Sequence, residues 1–155
     1  MTAARRSAGL LLYRETPGLE VLLAHMGGPF WVRKDAGAWT IPKGEYDDGE
    51  EPLAAARREF AEELGSAPPA GAVIELGSVR QKAGKVVTAW AVRGDFDPAT
   101  LRSNTFEMEW PPRSGRRAAF PEIDRVEWFD LVAAREKVAS AQVAFLDRLI
   151  IALSS

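Results

Sequence analysis

The chain contains no cysteine. Disulfides, thiolate nucleophiles, iron–sulfur clusters and cysteine-ligated zinc are therefore excluded. It has one histidine, His25, so a multi-histidine metal site is excluded too. Any metal must be held by oxygen, which selects hard ions such as magnesium or manganese. An excess of one charge is also lacking: 20 Lys plus Arg stand against 22 Asp plus Glu, a formal net charge of -2. Recognition of nucleic acid through bulk positive charge is disfavoured, and no stable nucleic-acid partner is expected. Long apolar runs are missing. The stretch at 146–153 is interrupted by Asp147 and Arg148 and is too short to span a bilayer. The first residues carry Arg5 and Arg6, then a short apolar run ended by Arg14 and Glu15, which is not the layout of a signal peptide. No membrane partner is expected, and the expected location is cytoplasmic. Internal repeats and low-complexity tracts are absent.

What remains is a chain of 155 residues with 46% hydrophobic and 27% charged residues, close to an average folded domain. A chain this long buries about 70% of its unfolded surface and can build its own core. One domain over 1–155 is expected. Residues 7–13 and 19–25 are short, apolar and separated by a turn-prone ETPG, and read as strands. Residues 39–42 form a further short strand, followed by a polar loop, KGEYDDGEE. Pro52 suits the first turn of a helix that runs through 53–64, and Gly65 suits its C-terminal cap. Residues 73–81 and 85–92 flank KAG as a hairpin. A helical turn at 98–102 and strands at 106–110 and 126–129 follow, and the chain reads as helical from Leu131 onward. This alternation predicts an α/β fold with a mixed sheet.

On the central helix, Leu53, Ala56, Phe60 and Leu64 recur at steps of three and four and form an apolar stripe. Glu59, Glu62 and Glu63 share another face. A charge run on a helix is usually a solvated surface. Here, however, five of the seven residues at 45–51 are also acidic. So dense a cluster is unfavourable unless a cation compensates it, and a divalent ion with oxygen ligands would do so.

The spacing is more specific than the composition. Gly44 is followed after five residues by Glu50, and after seven more by Arg58-Glu59-Phe60-Ala61-Glu62-Glu63-Leu64-Gly65. This resembles the signature of the Nudix hydrolase family, G-x5-E-x7-R-E-U-x-E-E-x-G-U, in which U is a bulky apolar residue. All seven fixed letters are present. A chance match is on the order of one in a million at average residue usage. Ser66 is the departure, where the family prefers an apolar residue; the position packs behind the helix.

The resemblance implies an α/β/α sandwich around a mixed sheet. It also implies magnesium- or manganese-dependent hydrolysis of a nucleoside diphosphate derivative, with water attacking phosphorus. Candidate substrates include nucleoside triphosphates and dinucleoside polyphosphates. By the same resemblance Glu59, Glu62 and Glu63 are catalytic metal ligands, with Glu59 and Glu63 the surest. Gly44 contributes its carbonyl to the metal, Glu50 acts behind it or through a bound water, and Arg58 orients a glutamate. Lys43 is placed to touch a phosphate. The general base is open among Glu107, Glu109, Glu122 and the motif glutamates.

Arg113, Arg116 and Arg117 in PPRSGRR suit a polyphosphate tail. Arg80, Lys82 and Lys85 are weaker candidates of the same kind. Trp31, Trp110 and Tyr46 are candidates to stack on a base, and His25 reads as structural. Two alternatives differ in class: a non-catalytic nucleotide sensor on the same fold, and an acidic interaction domain without metal. Sensors usually lose motif glutamates, and none is lost here. A homodimer is left open.

Overall fold

The apolar alternation of the first strand fixes the architecture. In the computed structural model, which describes residues 5–15 and 17–155, β1 (Arg6–Arg14) is buried on both faces. Leu10 and Leu12 enter one core cluster, and Leu11 and Tyr13 the other, as a side-chain period of two requires. The remaining strands are β2 (Glu20–Met26), β3 (Trp39–Thr40), β4 (Lys43–Glu45), β5 (Val73–Arg80), β6 (Val86–Arg93), β7 (Thr105–Glu109), β8 (Arg117–Pro121) and β9 (Ile123–Asp130). The helices are α1 (Pro52–Leu64), α2 (Leu131–Lys137) and α3 (Val143–Leu153). A seven-stranded sheet runs β3-β2-β1-β6-β5, with β4 added to β1 and β9 to β2. β1 and β6 are parallel and the other pairs are antiparallel. Helix α1 covers one face through Phe60 and Leu64; α2 and α3 cover the other through Ala134, Phe145, Leu146 and Leu149. The result is the mixed-sheet α/β/α sandwich expected from the sequence. Among the described residues no helix is long and apolar enough to cross a membrane.

Helix α1 follows its sequence cues. Pro52 occupies its first turn, and Gly65 closes it at φ 87° with its N–H bonded to the Ala61 carbonyl. The Glu51 carboxylate accepts from the N–H groups of Leu53 and Ala54 and so satisfies two donors a helix start leaves open. Exposing any one large apolar residue of its stripe costs about 1.5–3 kcal/mol. The rotation of α1, and hence of its glutamates, is therefore set by Phe60 and Leu64.

Three expectations are corrected. The strand expected at 39–42 ends at Thr40, and a new strand, β4, begins at Lys43, so Lys43 and Gly44 belong to the sheet rather than to a loop. Gln142 explains the break: its buried side chain takes the Ile41 N–H at 3.0 Å and donates to Thr40 Oγ1 at 2.9 Å. The C-terminal helix is likewise not continuous. Val138 is extended and bridges to Trp39, and Ala139 donates to the Trp39 carbonyl. Alanine-rich helical spacing loses there to the unpaired edge of β3. Finally, β7 pairs with β8, which the sequence reading missed, in a separate two-stranded sheet.

Four of the five acids at 45–51 find partners within the protein. Glu45 pairs with Arg5 and Lys85, Asp48 with Arg6, Glu50 with Arg58, and Glu51 caps α1.

Candidate active site

Because the apolar stripe of α1 points into the core, the glutamate face meets the edge of the sheet at β4. Glu59 and Glu63 are buried, whereas Glu62 is exposed. The three line a cleft of about 340 Å³ together with Lys43, Gly44 and Glu122. The Lys43 N–H donates to Glu63 Oε1 at 3.3 Å. Gly44 faces Glu59 so closely that an added Cβ would lie 2.0 Å from its carboxylate carbon. The glycine is therefore required by the carboxylate itself. Gly44→Ala is expected to fold, since the atom displaced is the far end of a side chain. It should lose about tenfold or more in activity, because Glu59 is pushed from its seat. Turnover measured beside thermal unfolding checks this; full activity would remove the role assigned to Gly44.

Arg58 organises the acidic face. Its guanidinium grips Glu50 in a fork, Nε to Oε2 at 2.7 Å and Nη2 to Oε1 at 2.9 Å. Nη1 reaches Glu59 Oε1 at 2.8 Å and Glu62 Oε1 at 3.1 Å. One arginine thus holds three carboxylates by charge-assisted bonds. Its bonds to Glu50 hold that carboxyl below its usual range.

The other cleft carboxyls shift upward. Burial, aided by the nearby charges of Glu122 and Glu59, pushes Glu63 up to about 8 against an ordinary 4.5; the Lys43 N–H only partly offsets this. Burial also raises Glu59. Glu122 is raised by burial and then by Glu62. Lys43 moves down, first through burial and then through Lys85. Buried carboxyls that repel one another, with hard oxygen donors only, make a site that favours a divalent cation over protons once the carboxyls ionise. Yet among the described residues no three acidic or histidine side chains already converge on one metal position. Arg58 holds Glu59 and Glu62. The donor set fits a hard ion, and the side chains must turn toward it.

Glu122 reaches the cleft from the junction of β8 and β9. Its N–H bonds the Asn104 carbonyl, and its carbonyl accepts from Gly27. A Cβ at Gly27 would lie 2.0 Å from the Pro121 carbonyl oxygen, so glycine there lets the junction dock.

Not every sequence candidate arrives. Glu107 and Glu109 are exposed on β7, and Glu109 accepts from the Arg113 N–H. Arg113 and Arg116 in the β7–β8 turn and Arg117 at the start of β8 are exposed and line neither of the two clefts described here. The expected polyphosphate role of these arginines thus finds no support in their placement; the cleft cations are Lys43 and Lys85. Arg80 and Lys82 lie outside it as well. Tyr46 packs against the core beneath Arg6, and Trp110 meets Phe30 edge-on. His25 is buried between the Asp124 carboxylate at 2.8 Å and the Lys34 carbonyl at 2.7 Å, a structural role.

Trp31 does line a site. With Phe106, Met26 and Ile123 it borders a second cleft of about 280 Å³, which shares Lys43, Glu63 and Glu122 with the first. Phe106 escaped the sequence reading because an aromatic on a short strand looks like core.

The family model described as NUDIX domain matches residues 3–149. Among solved structures, the chain is similar to a C. elegans Ap4A hydrolase in a binary complex: 23% identity, 96% of this chain and 98% of that one covered, TM-score 0.66. It is also similar to the NUDIX domain of Shewanella oneidensis NrtR complexed with ADP ribose, at 16% identity, 99% and 90% coverage and a TM-score of 0.68. A mutT/nudix family protein from Listeria innocua gives 18% identity, 99% and 96% coverage and 0.63. At these identities the likeness is one of fold. A comparison with curated protein sequences gives no significant match.

Proposed function

This chain belongs to the NUDIX family, whose catalytic members are pyrophosphohydrolases, and from that premise we propose that it hydrolyses the P–O–P bridge of a nucleoside diphosphate derivative. The observation that carries the reading is the junction of the two clefts at Lys43, Glu63 and Glu122. One side offers carboxylates, the other an aromatic and apolar wall that suits a nucleoside base. The Ap4A and ADP-ribose named for the structural neighbours are both of this chemical class.

In this reading Glu59, Glu62, Glu63 and the Gly44 carbonyl hold divalent cation, Mg²⁺ or Mn²⁺. An ion held there would supply neutralisation of phosphate oxygens and a lowered pKa for water. Arg58 positions Glu59 and Glu62, and Glu50 anchors Arg58 from behind. Lys43 faces the bridge phosphates. Glu122 takes the proton of the attacking water, because it is the off-helix candidate that lines the cleft, and burial raises its pKa. Water oxygen bonds to phosphorus, the bridging P–O bond breaks with its electron pair going to the leaving phosphate, and the proton taken by Glu122 passes to that leaving oxygen or to solvent.

The test is a panel of ATP, Ap4A, ADP-ribose and a nucleotide sugar, assayed with Mg²⁺, with Mn²⁺ and with EDTA. Cleavage of one class with either ion, and none with EDTA, is expected. Binding of nucleotides without turnover across the panel would replace this reading with that of a sensor.

A further inference from the structure

The structural role of His25 reaches into the second cleft. The residue is fully buried, and both of its ring nitrogens face oxygens. Nε2 donates to the Lys34 carbonyl at 2.7 Å, since a carbonyl can only accept. That bond holds the turn that carries Trp31. The Trp31 N–H bonds the Gly28 carbonyl, the Lys34 N–H bonds the Trp31 carbonyl, and the Lys34 ammonium lies 4.9 Å from the Trp31 ring centre. Nδ1 meets the Asp124 carboxylate at 2.8 Å. Asp124 is an extra residue in its strand: His25 pairs with Arg125 and Met26 with Ile123, so Asp124 has no partner in β2. Such a bulge re-aims one side chain and shifts its neighbours by one place in the register. Next to it come Ile123, which lines the second cleft, and Glu122, which lines both clefts. The Gly27 N–H then closes on the Glu122 carbonyl.

We propose that His25 and Asp124 act as a positioning pair, a single link that holds the Trp31 wall and Glu122 in fixed relation across the cleft. The proposal rests on the reading of the cleft as a pyrophosphohydrolase site. Neither residue lines either cleft. His25 acts on the nucleoside side through the Lys34 carbonyl, and Asp124 acts on Glu122 through the bulge. The turn at 28–34 and the strand end at 122–125 are far apart in the chain, and one imidazole joins them. A nucleotide lying against Trp31 is thereby presented to Glu122 at a set distance. That distance matters, because a misplacement of about 1 Å at a reacting centre can cost about a hundredfold in rate.

Asp124 is partly exposed, so it is the milder place to cut the link. In Asp124→Ala, amide hydrogen exchange should rise about tenfold at Gly27, Trp31, Lys34 and Glu122 together, whose N–H bonds belong to the two walls, and stay unchanged at Phe60 and Leu64 of α1. With the best-cleaved member of the ATP, Ap4A, ADP-ribose and nucleotide-sugar panel, kcat should fall and KM rise, each by about fivefold or more. A merely destabilised fold would lower the active fraction and leave KM unchanged. Asp124→Asn offers Nδ1 either an amide oxygen or an N–H, and should recover most of both losses. His25→Phe keeps a ring against Trp39 and removes both bonds, and should reproduce the Asp124→Ala pattern. Exchange that rises across the whole chain, at one wall alone or not at all overturns the positioning pair, and so do Asp124→Ala kinetics equal to wild type. A wild type that cleaves nothing in the panel, with both walls loosened in Asp124→Ala, keeps the pair and removes the hydrolase reading. Cleavage by wild type with exchange and KM unchanged in Asp124→Ala does the reverse.

Discussion

Glu63→Gln is expected to lower kcat by about a thousandfold or more, since it removes an anionic ligand of the cation that would offset phosphoryl charge. The amide keeps the shape of the side chain, and its oxygen can still accept the Lys43 N–H that now bonds Glu63 at 3.3 Å. The fold should therefore survive. In metal-free buffer above the Glu63 pKa, the variant should even unfold at a higher temperature than wild type. Glutamine carries no charge to bury beside Glu122 and Glu59, the causes that push Glu63 up to about 8. Activity and stability thus move in opposite directions. Steady-state kinetics and thermal unfolding of the same preparation check both arms. A joint fall in kcat and unfolding temperature would reduce Glu63 to a packing residue.

The second large effect is the pH dependence of metal stabilisation. The folded-state pKa of Glu63 lies at about 8, above its ordinary value of 4.5. Between those values the folded protein keeps a proton that the unfolded chain has lost. The contribution of this group to stability is complete below 4.5 and is lost as pH rises through about 8. Glu59 and Glu122, shifted the same way, add to the loss. Lys43 has the opposite sign: its pKa is lowered on folding, so its contribution recovers stability as pH rises toward 10.5. A divalent ion needs the carboxyls ionised, so it competes with their protons. The gain in unfolding temperature on replacing EDTA by Mg²⁺ should be small near pH 5, grow toward about pH 8 and then level off. Differential scanning fluorimetry across that range measures it. A gain independent of pH would mean that the ion binds away from these carboxyls.

Glu59, Glu62 and Glu63 are legible from spacing alone, because a helix converts steps of three and four into one face. Arg58 and Glu50 are legible as members of the same spaced motif. Burial is not written in that spacing. Glu63 is strongly shifted because β4 and the β8–β9 junction close over it, and neither was visible as a strand or junction in the linear pattern. Lys43-Gly44 looked like a polar loop because Pro42 and a run of acids surround it. The buried Gln142, a hundred residues away in the chain, shapes the β3–β4 break by bonding the Ile41 N–H.

The sequence by itself determined the α/β class, the central helix with its caps, the family and the acidic face, because all of these depend on residues close together in the chain. Tertiary structure decided which distant groups meet that face. It brought Glu122 rather than Glu107 or Glu109, Lys43 and Lys85 rather than Arg113, Arg116 and Arg117, and Phe106 beside Trp31. The physical reason is that strand pairing brings together residues far apart in sequence. A register of Ser7 with Glu45, or a close approach that only Gly27 permits, has no local signature to read.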